Sequence, residues 1–124
     1  KISIHCMRDV TRGGLATVLN EVSASSKCGV ELFENEIPVS NEVKGFCNIL
    51  GLDPLYMANE GKMIAVVPKR QAKQALALIK SSKYGKNASI IGNIVSGTGV
   101  TVTTALQGKR MLDVLYGEGL PRIC

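Results

Sequence analysis

Arg8-Asp9-Val10-Thr11-Arg12-Gly13-Gly14 is the stretch around which the chain is built. Before it stands Lys1-Ile2-Ser3-Ile4-His5-Cys6-Met7, whose alternation reads as an opening strand. After it, over 12–26, Leu15, Val18, Leu19 and Val22 recur at i, i+3, i+4 and i+7, the buried stripe of an amphipathic helix. Asp9 and Thr11 carry the short oxygen-bearing side chains that cap a first turn. The paired glycines let another group come close to the backbone at a helix N-terminus, where free N–H groups and the helix dipole favour anions. The turn is not a Walker loop, because it lacks Gly-Lys-Ser/Thr at the required spacing.

Outward from this turn, 29–34 reads as a strand. Pro38 introduces a helix over 40–50 that places Val43, Phe46, Cys47 and Leu50 on one face and stops at Gly51. A turn-rich connection over 53–61 enters a strand at 62–67. Glu60 stands directly before a glycine at that entrance, either as a solvated turn residue or as a base whose direction the strand behind it fixes. A helix over 69–81 turns Ala72, Ala75, Leu76 and Ile79 inward and its lysines outward. The β-branched runs 88–95 and 100–105, joined by Ser96-Gly97-Thr98-Gly99, have the form of a hairpin. A last strand covers 109–114. Helices and strands alternate early and strands cluster late, so the expected fold is α+β, a mixed β-sheet with helices packed on it. One domain over 1–116, followed by a flexible tail over 117–124, is expected.

The 124 residues can bury roughly two-thirds of their unfolded surface. Apolar residues make up 45% and charged residues 20%, an ordinary globular composition. No apolar run approaches the ~18 residues of a membrane span. Lys1 in place of Met, and a start inside a strand-like alternation, lead us to expect a piece cut from a longer protein. The net charge of +5 owes much to Lys69, Arg70, Lys73, Lys80, Lys83 and Lys86. A nucleic-acid surface would join that patch to stacking aromatics. Phe33, Phe46, Tyr56, Tyr84 and Tyr116 are scattered instead, so the lysines read as a solvated helix face and no nucleic-acid partner is expected. Cys6, Cys28, Cys47 and Cys124 form no Cys-x-x-Cys pair, and His5 is the sole histidine. Zinc spacing is therefore absent and no metal ligands are assigned. Reduced thiols and a cytoplasmic setting are expected, with Cys28 and Cys47 in the core.

The end of the chain, Gly117-Glu118-Gly119-Leu120-Pro121-Arg122-Ile123-Cys124, places a thiol where the backbone stops. Two glycines loosen the approach and Pro121 stiffens the last step. A terminal thiol suits the carriage of a small group between sites, whereas a frayed end with an accidental cysteine would have no such use. Prenylation is excluded, since it requires the cysteine fourth from the end.

Asp9-x-Thr11-Arg12-Gly13-Gly14-Leu15, Ile37-Pro38-Val39, Gly51-Leu52-Asp53-Pro54-Leu55-Tyr56 with Asn59-Glu60-Gly61, and Pro121-Arg122-Ile123-Cys124 together resemble the C-terminal domain of the HypE family of hydrogenase maturation proteins. The resemblance runs from about His5 to Cys124. Its Asp-x-Thr-x-Gly-Gly element is shared with the wider aminoimidazole ribonucleotide synthetase-like superfamily of ATP users. The terminal Pro-Arg-Ile-Cys is what singles out HypE within it. The resemblance implies a PurM C-terminal-domain-like fold and a carbamoyl dehydratase. A carbamoyltransferase, HypF, places a carboxamide on the Cys124 sulfur, and ATP then drives its dehydration to a thiocyanate. The cyano group passes to iron of the nickel–iron hydrogenase cofactor on a HypC–HypD scaffold.

By the same resemblance Cys124 and Glu60 are catalytic, Glu60 as the base that removes the amide proton. Asp9, Thr11, Arg12, Gly13, Gly14 and Asn59 contribute to binding ATP with its Mg²⁺, most of that site belonging to an N-terminal domain absent from this sequence. The full-length family protein is a homodimer, and the 124 residues alone are expected to be inactive. One departure lies in the turn, where the family usually has proline in place of Val10. The alternatives are a non-catalytic interaction module, or the C-terminal domain of another superfamily member such as a selenophosphate synthetase or a thiamine-phosphate kinase. Neither of those chemistries needs a terminal thiol.

Overall fold

The structure, a computed structural model, describes residues 1–114; the tail over 117–124, with Cys124, lies outside the described residues. In chain order the elements are β1 (Cys6–Asp9), α1 (Gly14–Ser26), β2 (Gly29–Phe33), α2 (Asn41–Leu50), β3 (Met63–Val66), α3 (Ala72–Lys80), β4 (Gly92–Val95), β5 (Gly99–Thr103) and β6 (Lys109–Met111). Short 3₁₀ turns occupy Glu34–Glu36, Pro54–Tyr56 and Lys69–Gln71. The fold is α+β, with a mixed sheet ordered β4-β2-β5-β6 and a separate antiparallel pair, β1-β3.

Alternation along β2 and β5 turns Val30, Leu32, Val100 and Val102 to one face of the mixed sheet. Their burial is nearly complete, at 4%, 1%, 0% and 0% exposure. Helix α1 covers this face with Leu15, Ala16 and Leu19, and Val10, Leu55 and Leu112 close the core. Each Val or Leu side chain among them contributes about 1.5–3 kcal/mol when fully buried.

Two glycines start α1. Gly13 and Gly14 adopt φ of +71° and +69°, a region that side chains disfavour. The expected capping by Asp9 and Thr11 does not occur: Gly13 occupies the N-cap with no side-chain cap, and the Thr11 hydroxyl donates to the Asp9 carboxylate. The reason is distance along the chain, since with Gly13 as cap both side chains fall before the turn they would have to reach. Helix α2 follows its expectation at the ends. The Ser40 Oγ accepts from the Val43 amide, and Gly51 closes the helix at φ +69°.

The hairpin expected over 96–99 is not formed. β4 pairs antiparallel with one edge of β2, and β5 pairs parallel with the other, so Ser96 to Thr98 carry the chain across the end of β2. Two strand spacings, about 9.6 Å, must be spanned. Gly29 makes room for the crossing, since a Cβ there would lie 3.1 Å from the Ser96 carbonyl oxygen. Ser23, 2% exposed, fastens it: its Oγ donates to the Cys28 carbonyl and accepts from the Gly99 amide, both at 2.7 Å.

The outer helices bury less than their patterns suggest. On α2 only Cys47 is buried, its sulfur 3.2 Å from that of Met57. Val43, Phe46 and Leu50 are 39%, 54% and 55% exposed. On α3 only Ala75 is buried; Ala72 and Leu76 are half-buried and Ile79 is exposed. Periodicity identifies an apolar face but not whether another element reaches it. Cys28, expected in the core, is half-buried, because it lies in the link after α1 instead of within an element.

Candidate functional site

Asp9 ends β1, and β3 begins directly opposite it: the register pairs Asp9 with Met63 and Arg8 with Ile64. A two-stranded sheet is marginal by itself, and backbone bonds beyond the ladder reinforce this one. The Val10 amide donates to the Lys62 carbonyl at 3.1 Å, and the Asn59 amide is shared between the carbonyls of Val10 and Thr11 at 3.1 and 3.2 Å. The turn 9–14 and the loop 59–61 are thereby held side by side, although distant in sequence.

Between them opens a shallow concavity of about 410 Å³ lined by Asp9, Thr11, Glu60, Gly61, Lys62 and Met63. Asp9 is held below the usual carboxylate range, first by the Thr11 hydroxyl and then by its own backbone amide, with a smaller contribution from the charge of Arg8. It is therefore an anion at neutral pH. Glu60 is exposed at the mouth, and Gly61, with φ +78°, turns the chain from it into β3. Lys62 is the cation among the lining residues. Sequence reasoning passed over it, although a lysine directly after Glu60-Gly61 is within reach of the same opening.

The remaining expected site residues have other surroundings. Asn59 acts through its backbone amide as the clamp just described. Gly14 is buried because the chain's own segment approaches it: a Cβ there would lie 2.5 Å from the Met57 carbonyl oxygen and 2.7 Å from that of Leu55. At Gly13 the close neighbour is Thr17. Arg12 is exposed and does not line the concavity. Behind the site, Arg8 reaches back from β1 to Glu21 of α1 at 2.5 Å, joining the two elements that bound the glycine turn.

Two carboxylates and an ammonium group around an open hollow can orient a polar group and accept a proton from it. Among the described residues no three His, Cys, Asp or Glu side chains gather as a metal centre would. Asp9 offers a single charged oxygen ligand, which is the share a protein commonly gives to a Mg²⁺ held chiefly by phosphates and water. Among the described residues no helix is long and apolar enough to cross a membrane.

Residues 1–105 match the family described as AIR synthase related protein, C-terminal domain. The carbamoyl dehydratase HypE of Azotobacter vinelandii is 47% identical over 123 residues, which are 98% of this chain and 36% of that protein. A putative hydrogenase expression/formation protein of Methanocaldococcus jannaschii is 43% identical over 99% of this chain and 37% of its own length. The chain thus spans about a third of the length of the curated relatives it matches. Among solved structures, a hydrogenase maturation protein HypE in complex with ATP superposes with a TM-score of 0.90 at 44% identity, covering 98% of this chain and 38% of that one. A HypE–HypF complex gives 0.87 at 42%, covering 90% and 37%. Thiamine monophosphate kinase of Aquifex aeolicus, at 22% identity, TM-score 0.56 and coverages of 80% and 31%, shares the fold alone.

Proposed function

Because this chain belongs to the AIR synthase related protein, C-terminal domain family, and within it is similar to carbamoyl dehydratases over 98% of its length, we propose that it is the C-terminal domain of such an enzyme. The observation that carries the reading is the meeting of Asp9 and Thr11 with Glu60 in one concavity, from two loops whose motifs are those of the HypE family.

The reaction begins with a carboxamide on the Cys124 sulfur, placed there by a HypF-type carbamoyltransferase. ATP phosphorylates the amide oxygen, giving ADP, one released N–H proton and a phosphorylated thioimidate. Glu60 takes the remaining N–H proton as the C–O bond breaks and phosphate leaves, and a thiocyanate stays on the sulfur. Its cyano group is then delivered to iron of a nickel–iron centre on a HypC–HypD scaffold. Asp9, beside Thr11, would supply a charged oxygen to Mg²⁺ on the nucleotide, Arg12 and the Gly13-Gly14 turn would flank the phosphates from outside the concavity, and Lys62 would offset the charge that develops on the leaving phosphate. The relatives' additional length provides the rest of the nucleotide site and the homodimer contact. The protein works in the cytoplasm, where the Cys124 thiol remains reduced.

The test is the intact mass of the full-length protein after incubation with the carbamoyl donor system and ATP. A carboxamide adduct on the C-terminal peptide followed by loss of one water supports the reading. An unchanged course in Cys124→Ala would refute it.

A further inference from the structure

Strand β6 ends at Met111, yet the next two residues are held as firmly as a ladder would hold them. Leu112 is completely buried; its amide donates to the Val100 carbonyl at 2.9 Å, and its carbonyl accepts from the Asn20 side-chain amide at 2.6 Å. The same Asn20 nitrogen donates to the Ala16 carbonyl at 2.8 Å, which pins it to α1. At Asp113 the carbonyl accepts from the Tyr56 hydroxyl at 2.5 Å. Tyr56 is itself fixed, because its ring packs against the core. Asp53 stabilises the turn it sits in, accepting from the Leu55 amide at 2.9 Å and from Arg110 of β6, also at 2.9 Å.

Side chains of α1 and of the 53–56 turn thus fix the backbone carbonyls of Leu112 and Asp113, beyond which the chain runs on to Cys124. These elements also build the site, since α1 follows the 9–14 turn and the 53–56 turn leads straight into Asn59-Glu60. We propose that Tyr56 is a positioning residue: by holding the Asp113 carbonyl it fixes the root of the C-terminal segment on the same loop that presents Glu60, so that the segment bearing Cys124 starts from the frame that holds the base. From Asp113 the chain reaches at most about 40 Å to Cys124. The anchor therefore acts on the direction from which the carrier starts, not on its reach. The inference rests on the function proposed above.

The experiment uses the full-length protein with Tyr56→Phe, which removes the hydroxyl and leaves the ring. Conversion of the Cys124 carboxamide to thiocyanate is followed at saturating ATP, beside ATP affinity and the rate of carbamoylation by the transferase. The expected result is a roughly 5-fold slower conversion, the factor that corresponds to one ordinary hydrogen bond, with affinity and carbamoylation unchanged. A companion variant with two glycines inserted after Val114 keeps the anchor and only lengthens the tether, which should slow conversion by less than about 2-fold. Conversion by Tyr56→Phe within 2-fold of the parent, or a parallel loss of ATP affinity, would overturn the positioning role. Failure of the unsubstituted protein to convert the carboxamide would instead overturn the proposed function.

Discussion

The backbone amide of Asn59 donates to the carbonyl of Val10 at 3.1 Å, and this contact joins the two loops of the site. Because main-chain atoms do the joining, the hydrogen-bonded Asp9–Thr11 pair and Glu60 still line the concavity. Val10 contributes in two further ways. Its side chain is 7% exposed, and its amide bonds to the Lys62 carbonyl at 3.1 Å, a bond that a proline at this position could not make.

The glycines of this fold differ in what they allow, and stability measurements should separate them. Gly14→Ala forces a Cβ to within 2.5–2.8 Å of backbone atoms of Leu55 and Met57 at a φ of +69°. It should cost about 2 kcal/mol or more and loosen the site loop. Gly45 lies inside α2 with open space around it, so Gly45→Ala should stabilise by about 0.5–1 kcal/mol. Urea denaturation of the two variants reads both values.

Burial predicts an equally sharp contrast between the core and α2. Leu32→Ala, at a residue 1% exposed, should cost about 2–5 kcal/mol. Ile49→Ala, at 85% exposure, should stay within about 0.5 kcal/mol. Comparable losses at both positions would mean that the α2 face is covered.

Thiol labelling under native conditions should follow exposure. Cys47 is buried, while Cys6 and Cys28 are half-buried, so of these three alkylation should reach Cys6 and Cys28 first and Cys47 only on unfolding. Rapid labelling of Cys47 would contradict its place between α2 and Met57.

Asp9 gives a pH prediction with a definite sign. Its carboxyl is held below its ordinary value, chiefly by the Thr11 hydroxyl, so the folded state favours the ionised form. The associated stability is present above the unfolded carboxylate value near ~3.9 and is lost as pH falls through the lower folded value. In Thr11→Val the Asp9 titration, followed by carbon NMR of the carboxyl, should move upward. An unmoved titration would show that the hydroxyl is not the cause.

Much of this fold is legible in the sequence because its elements carry strong local signals. The stripe of Leu15, Val18, Leu19 and Val22 is one, and the Ser40 and Gly51 ends of α2 are another. What local pattern does not carry is which strand lies beside which. The runs before and after Ser96-Gly97-Thr98-Gly99 have the composition of a hairpin, and only the absence of a side chain at Gly29 and the buried bonds of Ser23 place β2 between them. In the site, Glu60 is recognisable by motif, but the anchoring role of Tyr56 depends on Asp113, a partner distant in sequence. Lys62 reads as an ordinary lysine until the strand register brings Asp9 to the same opening.

The proposed role of Glu60, as the base in dehydration of the carboxamide on Cys124, is tested by Glu60→Gln in the full-length protein. The substitution preserves size and hydrogen bonding and removes basicity. Intact mass spectrometry should show the carboxamide form accumulating at Cys124, because carbamoylation belongs to the transferase. Conversion to thiocyanate, read as loss of one water, should slow by roughly 10²-fold or more. Conversion at the unsubstituted rate would rule out Glu60 and place the base outside this domain.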